Sequence, residues 1–374
     1  MTTDVLLAAY PEKRIVIKIG SALLVENGQV RQAWLDALVD EIAVLRGAGK
    51  QVLIVSSGSI AVGRTHLGLT AEKISLAEKQ ASAATGQIAL AHAYHQALAR
   101  HCITAGQILI TLSDTEERRR YLNATDTLNA LLRLGVVPII NENDTVATSE
   151  IRYGDNDRLS ARIATMIEAE LLLLMSDVDG LYSADPRTNP DAKHFPEIVD
   201  ISDEIEGMAG DPPPGYSSGG MKTKLTAAKL AVAAGTDMMI LDGRENSPLT
   251  SVATADKKST RFVAQDQTKT AKKAWISGHL NPRGDLVLDA GAVRALGMGK
   301  SLLPSGIIKI NGTFQRGDCV RILDEQGKEL ARGLIAYDVD EAQKIRGRQS
   351  AQIETVLGYS RRDEMVHRDH MVLV

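Results

Sequence analysis

The 374-residue chain contains only two cysteines, Cys102 and Cys319, too few and too far apart for a disulfide framework or a zinc knuckle. Aromatic residues make up 3% of it, which leaves little material for extensive base-stacking surfaces. Neither sign of charge is in excess. The 43 Lys+Arg and 47 Asp+Glu leave a net charge of −4, so composition gives no support for a basic nucleic-acid platform or a membrane-surface protein. The longest apolar stretch, around Leu171–Met175, falls far short of the ~20 residues that span a bilayer. Residues Met1 to Arg14 carry Asp4, Glu12 and Lys13 around a short apolar patch and lack the basic start and apolar core of a secretion signal. A cytoplasmic protein with no membrane partner is the expectation. Several chemical signatures are missing as well. There is no GxGxxG, and the eight histidines form no HExxH; His92 and His95 share a helix and read as surface residues. Gly215 and Gly220 have the spacing of a Walker A loop, but Met221 stands where its lysine should follow. Gly215–Gly219 matches the hydrolase elbow by letters, yet it follows Pro212–Pro214 rather than a strand.

What is present is a globular composition, 44% hydrophobic and 24% charged, long enough for two or three domains. Over the first 265 residues, short β-branched runs recur at Arg14–Ile19, Gln51–Val55, Gln107–Thr111, Val136–Ile140, Leu171–Met175 and Asp237–Leu241. They are apolar at consecutive positions, as expected of strands covered on both faces. Helical spacing lies between them: Trp34, Leu35, Leu38, Ile42 and Leu45 form one face, a second helix is expected over 71–100, and a third over 114–134, stopped by Gly135. This alternation predicts an α/β three-layer sandwich around a mainly parallel sheet. The polar segment Gln265–Lys273 reads as a linker. After it the runs shorten and are broken by turn signals such as Asn311-Gly312 and Arg316-Gly317-Asp318. The expected division is therefore residues 1–265, a linker at 266–274, and a small β-rich domain at 275–374.

Ligands of open parallel sheets bind at the carboxyl ends of the strands. Lys18 stands near the end of the first, otherwise apolar strand, where it is costly unless paired or facing a cleft; it is either a phosphate ligand beside Gly20 or an edge-strand lysine reaching solvent. The second strand runs into Ser56–Gly63, small residues opening a helix, which serve as an anion site or as a plain cap. The fourth strand ends in Asn141-Glu142-Asn143-Asp144, followed closely by Tyr153-Gly154-Asp155-Asn156-Asp157. These clusters are denser than turn chemistry requires, and they lack the spacing and terminal Glu of an EF-hand calcium loop. The fifth strand ends Ser176-Asp177-Val178-Asp179-Gly180, and Gly215–Lys224, with glycines and lysines at a helix start, is either a phosphate site or a flexible loop ending in a capped helix.

Taken in order, Val16–Ser21, Ser57–Gly63, Ile140–Ala147, Gly154–Ala161, Asp177–Pro186 and Gly219–Lys224 resemble the motifs of the glutamate 5-kinases, a family of the amino acid kinase superfamily, and the C-terminal domain resembles a PUA domain. The resemblance covers nearly the whole chain. It implies ATP-dependent phosphorylation of the γ-carboxylate of L-glutamate, the first step of proline synthesis, with proline as feedback inhibitor through the region Glu142–Ile151, and a homodimer or homotetramer. It also implies that Lys18 and Lys224 hold the transferring phosphoryl group and that Asp157 orients them. Ser57, Asp144 and Asn156 would hold glutamate. Lys18, Ser176, Asp177, Ser218, Gly219, Gly220, Met221, Lys222, Thr223 and Lys224 would line the nucleotide. Mg²⁺ would be carried mainly by the ATP phosphates and water, with carboxylates such as Asp155 assisting and no ligand set assigned. The chain departs from the family in having Ser176-Asp177 for Thr-Asp and Ser217-Ser218 for Gly-Thr, and the glycine lost at 217 stiffens the nucleotide loop.

Two rivals stay open. A related carboxylate kinase, acting on acetylglutamate or aspartate, shares single motifs of this set. The PUA domain is elsewhere an RNA-binding module, but 14 Lys+Arg against 13 Asp+Glu over residues 275–374 leave it a net +1. Phosphate-backbone binding needs a positive face; Arg346, Arg348, Arg361 and Arg362 form either such a local patch or a solvated surface.

Overall fold

The computed structural model describes residues 2–71, 74–146, 155–209, 220–264, 282–359 and 362–373. The chain divides into two compact units, Met1–Asp266 and Gln267–Val374; the expected linker at 266–274 lies outside the described residues.

The strands of the first unit are β1 (Arg14–Ile19), β2 (Val25–Glu26), β3 (Gln29–Val30), β4 (Gln51–Ser56), β5 (Ala105–Ile110), β6 (Val137–Glu142), β7 (Leu171–Ser176), β8 (Leu181–Tyr182), β9 (His194–Phe195), β10 (Glu197–Ile198), β11 (Asp237–Asp242) and β12 (Ser259–Phe262). Eight of them form one sheet in the order β10-β12-β11-β7-β1-β4-β6-β5. From β11 to β5 every pairing is parallel; on the other side β12 runs antiparallel to β11, and the short β10, parallel to β12, forms the edge. Ile19 sits level with Ser56 and Met175, and Asp242 with Ser176, so the carboxyl ends of four central strands form one rim.

Strand parity explains the layers. Ile15, Ile17 and Ile19 of β1 bury against α3 (Gln32–Gly47) and α5 (Leu76–Ala99) on one face. Val16 buries on the other, against α7 (Arg118–Arg133), α8 (Asp155–Met166) and α10 (Met221–Ala233). Each such fully buried side chain contributes roughly 1.5–3 kcal/mol. Helices on both faces of a largely parallel sheet make the expected three-layer sandwich. Parity also places Lys18 with Val16, on the α8/α10 face.

Four expectations need correction. The helix expected over 71–100 begins at Leu76, because Ser75 and Glu78 form a capping box that fixes its start. The helix expected over 114–134 is two: α6 (Leu112–Glu116), opened by a Thr111–Asp114 capping box, and α7, with Glu117 extended (ψ 116°) between them. The strand expected at Gln107–Thr111 is an edge strand, exposed at Gln107 and Leu109 rather than covered on both faces. The cluster after the fourth strand begins inside it, since Asn141 and Glu142 belong to β6.

The second unit holds a five-stranded sheet of β13 (Gly284–Leu288), β14 (Ile307–Gly312), β15 (Cys319–Leu323), β16 (Glu329–Ile335) and β17 (Val366–Leu373), in the order β14-β13-β15-β16-β17. Short helices at Ala290–Gly297, Val339–Ile345 and Ile353–Leu357 accompany it. It has its own apolar core around Leu286, Val320, Ile335 and Tyr337. A small β-rich unit was the expectation.

Candidate active site

The charged half of the site is assembled from three elements. Lys18 near the end of β1, Asp157 in the first turn of α8 and Lys224 in the first turn of α10 are all buried, at 7%, 1% and 5% exposure. Lys18 Nζ lies 2.5 Å from Asp157 Oδ1, and Lys224 Nζ lies 3.4 Å from Asp157 Oδ2. Thr223 donates its hydroxyl hydrogen to the same Oδ2 at 2.9 Å. Two ammonium groups, 206 positions apart in the chain, thus meet on one carboxylate. That carboxylate also sits where the positive end of the α8 dipole favours an anion.

The electrostatics follow from this arrangement. Burial alone would push the Asp157 carboxyl up, but Lys18, then Lys224 and the Thr223 hydroxyl, outweigh it and hold it below the ordinary carboxylate range. For Lys224, burial is the largest effect and lowers its pKa, Asp157 pulls it back up, and Lys18 lowers it again. The cluster carries two positive charges and one negative. A buried excess of positive charge costs free energy unless an anion joins it.

The neutral half lies around the end of β4. Gly58, at φ +111°, turns the chain from β4 into α4 (Ser59–His66), and a Cβ there would come within 2.8 Å of Val25 Cγ2. Asn156, next to Asp157 on α8, reaches across the rim. Its Nδ2 donates to the Ser56 carbonyl at 3.1 Å, Ser57 Oγ at 2.7 Å and Asn141 Oδ1 at 3.1 Å. Asn141, 2% exposed, in turn donates to Gln87 Oε1 of α5 at 2.8 Å and to Ser59 Oγ at 3.3 Å. Ser56 Oγ accepts from the Tyr94 hydroxyl at 2.9 Å, beneath this layer.

Of the residues expected from the sequence, Lys18, Asp157, Thr223 and Lys224 are brought together, as are Ser57 and Asn156; the neighbouring positions of Asn156 and Asp157 join the two groups. Asp144 follows β6 and is buried at 8% exposure. Ser176, at the end of β7, donates to Asp177 Oδ1 at 3.0 Å, and the exposed Asp177 is close enough to raise the pKa of Lys224. Gly220 caps α10, Met221 packs against the apolar layer, and Lys222 is exposed. Ser218 and Gly219 lie outside the described residues, as do Gly154 and Pro212–Pro214. Sequence reasoning singled out neither Gln87 nor Tyr94. Their signal was spatial: a Cβ on Gly63 would lie 1.8 Å from the Ser82 carbonyl oxygen, and one on Gly86 1.9 Å from that of Ser59. Helices α4 and α5 therefore touch backbone to backbone, and that contact carries Gln87 to the rim.

Among the described residues no group of three or more His, Cys, Asp or Glu is placed to hold a metal ion, and no helix is long and apolar enough to cross a membrane.

Residues 13–242 match the model of the amino acid kinase family, and residues 284–357 match that of the PUA domain. The chain belongs to the amino acid kinase family. Within it, the relatives are specific. It is 54% identical over 363 residues to the glutamate 5-kinase of Paramagnetospirillum magneticum, covering 96% of this chain and 98% of that protein. It is 54% identical over 374 residues to the glutamate 5-kinase of Rhizobium etli, covering 100% and 95%. The glutamate 5-kinase of Brucella abortus is 55% identical over 362 residues, covering 96% of each. A solved UMP kinase from Ureaplasma parvum is 18% identical, covers 67% of this chain and 99% of that one, and superposes with a TM-score of only 0.46, too loosely to bear on activity.

Proposed function

We propose that the chain transfers the γ-phosphoryl group of ATP to the γ-carboxylate of L-glutamate, releasing ADP and L-glutamyl 5-phosphate. The observation that carries this reading is the meeting of Lys18 and Lys224 on Asp157; the glutamate 5-kinases similar over the whole chain supply the substrate.

A carboxylate nucleophile with a pKa of about 4.3 is already ionised at neutral pH, so the reaction needs no general base. The difficulty is bringing one anion against a polyanion, and the catalytic task is positioning and charge neutralisation. The excess positive charge around Asp157 answers it. Asp157 keeps the two ammonium groups from repelling one another apart, while leaving more positive charge than it cancels. An arriving triphosphate supplies the missing anion and favours the protonated form of Lys224. The first turn of α10, with Gly220–Lys224, offers backbone N–H groups to the phosphates. Ser176 and Asp177 line the nucleotide from the end of β7, together with Ser218 and Gly219. Mg²⁺ keeps several waters and needs few protein ligands. With Asp157 committed to two ammonium groups, phosphate oxygens are the natural ligands, and the ion would neutralise part of the triphosphate charge.

On the acceptor side, Ser57, Asn156 and Asp144 hold glutamate. Asn156 spends its N–H groups on Ser56, Ser57 and Asn141, so the oxygen it has left is an acceptor, matched to the substrate ammonium. Asp144 adds the negative charge. Proline competes through the region Glu142–Ile151, of which residues 147–151 lie outside the described residues, and the protein is a cytoplasmic homo-oligomer, dimer or tetramer.

The test is a hydroxamate assay with ATP and glutamate, acetylglutamate or aspartate. Product with glutamate alone supports the reading, and a preference for acetylglutamate or aspartate replaces it with the related carboxylate kinase. Initial rates with and without excess proline test the inhibition. Filter binding of RNA at two salt concentrations tests the remaining role for the C-terminal domain.

A further inference from the structure

We infer that Gln87, which touches neither reacting group, is a positioning residue that sets the glutamate-binding side of the site through Asn141; the inference rests on the reading of Ser57 and Asn156 as glutamate ligands.

The orientations of Asn141 and Asn156 are each fixed by a backbone group that has only one role, and that of Gln87 follows from Asn141. The N–H of Glu142 can only donate, and it meets Asn141 Oδ1 at 2.9 Å. The other terminal atom of Asn141 is therefore the nitrogen, and the atom of Gln87 facing it at 2.8 Å is the oxygen. At the far end the Ser56 carbonyl can only accept, which assigns Nδ2 of Asn156 as the atom that also holds Ser57 Oγ and Asn141 Oδ1. One acceptor oxygen on α5 thus holds the Asn141 nitrogen in the orientation that the Glu142 N–H sets. Asn141 in turn supplies one of the three acceptors around Asn156 Nδ2.

Removing the Gln87 oxygen leaves Asn141 Nδ2 with Ser59 Oγ at 3.3 Å as its remaining partner. The buried nitrogen is left short of an acceptor, which loosens the Asn141 side chain. Asn141 Oδ1 then shifts from Asn156 Nδ2, which keeps the Ser56 carbonyl and Ser57 Oγ but loses the third acceptor that fixes its direction. The lever is rigid because Gly86, the residue before Gln87, lies in the backbone contact between α4 and α5. Two ends of the network are open: Gln87 Nε2, a donor, and Asn156 Oδ1, an acceptor, are buried with no partner among the described residues. A network kept for stability alone closes its ends.

The experiment uses the full-length protein and varies both substrates. Gln87→Leu removes the acceptor at similar size, and Gln87→Glu keeps an oxygen facing Asn141. The expected result for Gln87→Leu is a glutamate KM raised about tenfold with the ATP KM within about twofold, most of the increase being recovered in Gln87→Glu. A glutamate KM within about twofold of the parent overturns the inference. So does an equal rise in both KM values that Gln87→Glu does not restore, the mark of a structural role. Should Gln87→Leu fail to fold, Gln87→Asn, too short to reach Asn141, is read against the same outcomes. Ser57→Ala runs in parallel. If Ser57→Ala raises the glutamate KM while the Gln87 variants do not, this inference alone fails; if Ser57→Ala leaves it unchanged, the reading of the glutamate site fails and the inference with it.

Discussion

Around Asp157 the polar groups are ions, clustered on the α8/α10 face of the sheet; around Asn141 they are neutral amides and hydroxyls, reached mainly from the α5 face. The ionic half is unbalanced, two ammonium groups sharing one carboxylate. The amide half is nearly closed on itself, each hydrogen bond fixing the next. The contrast separates two demands of phosphoryl transfer between anions. Neutralising a triphosphate needs stored charge, which costs stability and depends on protonation. Recognising one amino acid needs direction, which a chain of amides gives through donor and acceptor order.

Breaking the ionic half should have the largest effect. Lys18→Ala is expected to lower kcat by roughly 10²–10³, the scale of losing one preorganised donor to developing charge, measured by hydroxamate formation at saturating substrates. Asp144→Ala acts on the acceptor side. With a buried, charged partner of the substrate ammonium gone, the glutamate KM should rise about 10- to 100-fold while the ATP KM holds, as read from initial rates with each substrate varied. An unchanged glutamate KM with a shifted ATP KM would move Asp144 to the nucleotide side.

The halves should also differ in pH response. The Asp157 pKa is depressed on folding, so its contribution to stability is present above the ordinary carboxylate pKa and is lost as pH falls through its folded value. The Lys224 pKa is depressed too, but for a base the sign reverses: below its folded pKa the charged form costs stability, and the cost is relieved as pH rises through that value. Activity should therefore decline on the alkaline side below the ordinary lysine range. Because ATP favours the ammonium, the alkaline limb of kcat should lie above that of kcat/KM for ATP. Coincident limbs at the ordinary lysine pKa would remove Lys224 from both. The smallest effect is expected from Thr223→Val, which deletes one neutral donor to Asp157. A loss of about 1 kcal/mol, near fivefold in kcat, with recovery in Thr223→Ser, would place this hydroxyl in support of the carboxylate.

The ionic half was the more legible in sequence. A lysine in an apolar strand is visible because it is costly there, and its position in β1 sets the face it occupies; lysines after glycines at a helix start, and acids after an apolar run, carry similar signals. The amide half was legible at Ser57, Asn141 and Asn156 but not at Gln87. Glutamine in the middle of a helix carries no signal of its own, and only the Gly63–Gly86 crossing brings it to the strand ends. The element boundaries show the same limit from another side. Ser75 and Glu78 spell a capping box, as do Thr111 and Asp114, yet apolar periodicity alone runs through both and misses where the helices begin.

Lys224→Met separates stored charge from folding, with turnover and thermal midpoint measured on the same protein. Replacing Lys224 leaves Lys18 and Asp157 as a balanced pair and removes the excess buried charge. The expected result is a kcat lower by about 10² or more with a midpoint equal to or above that of the parent. Near-normal turnover in the folded variant would contradict it.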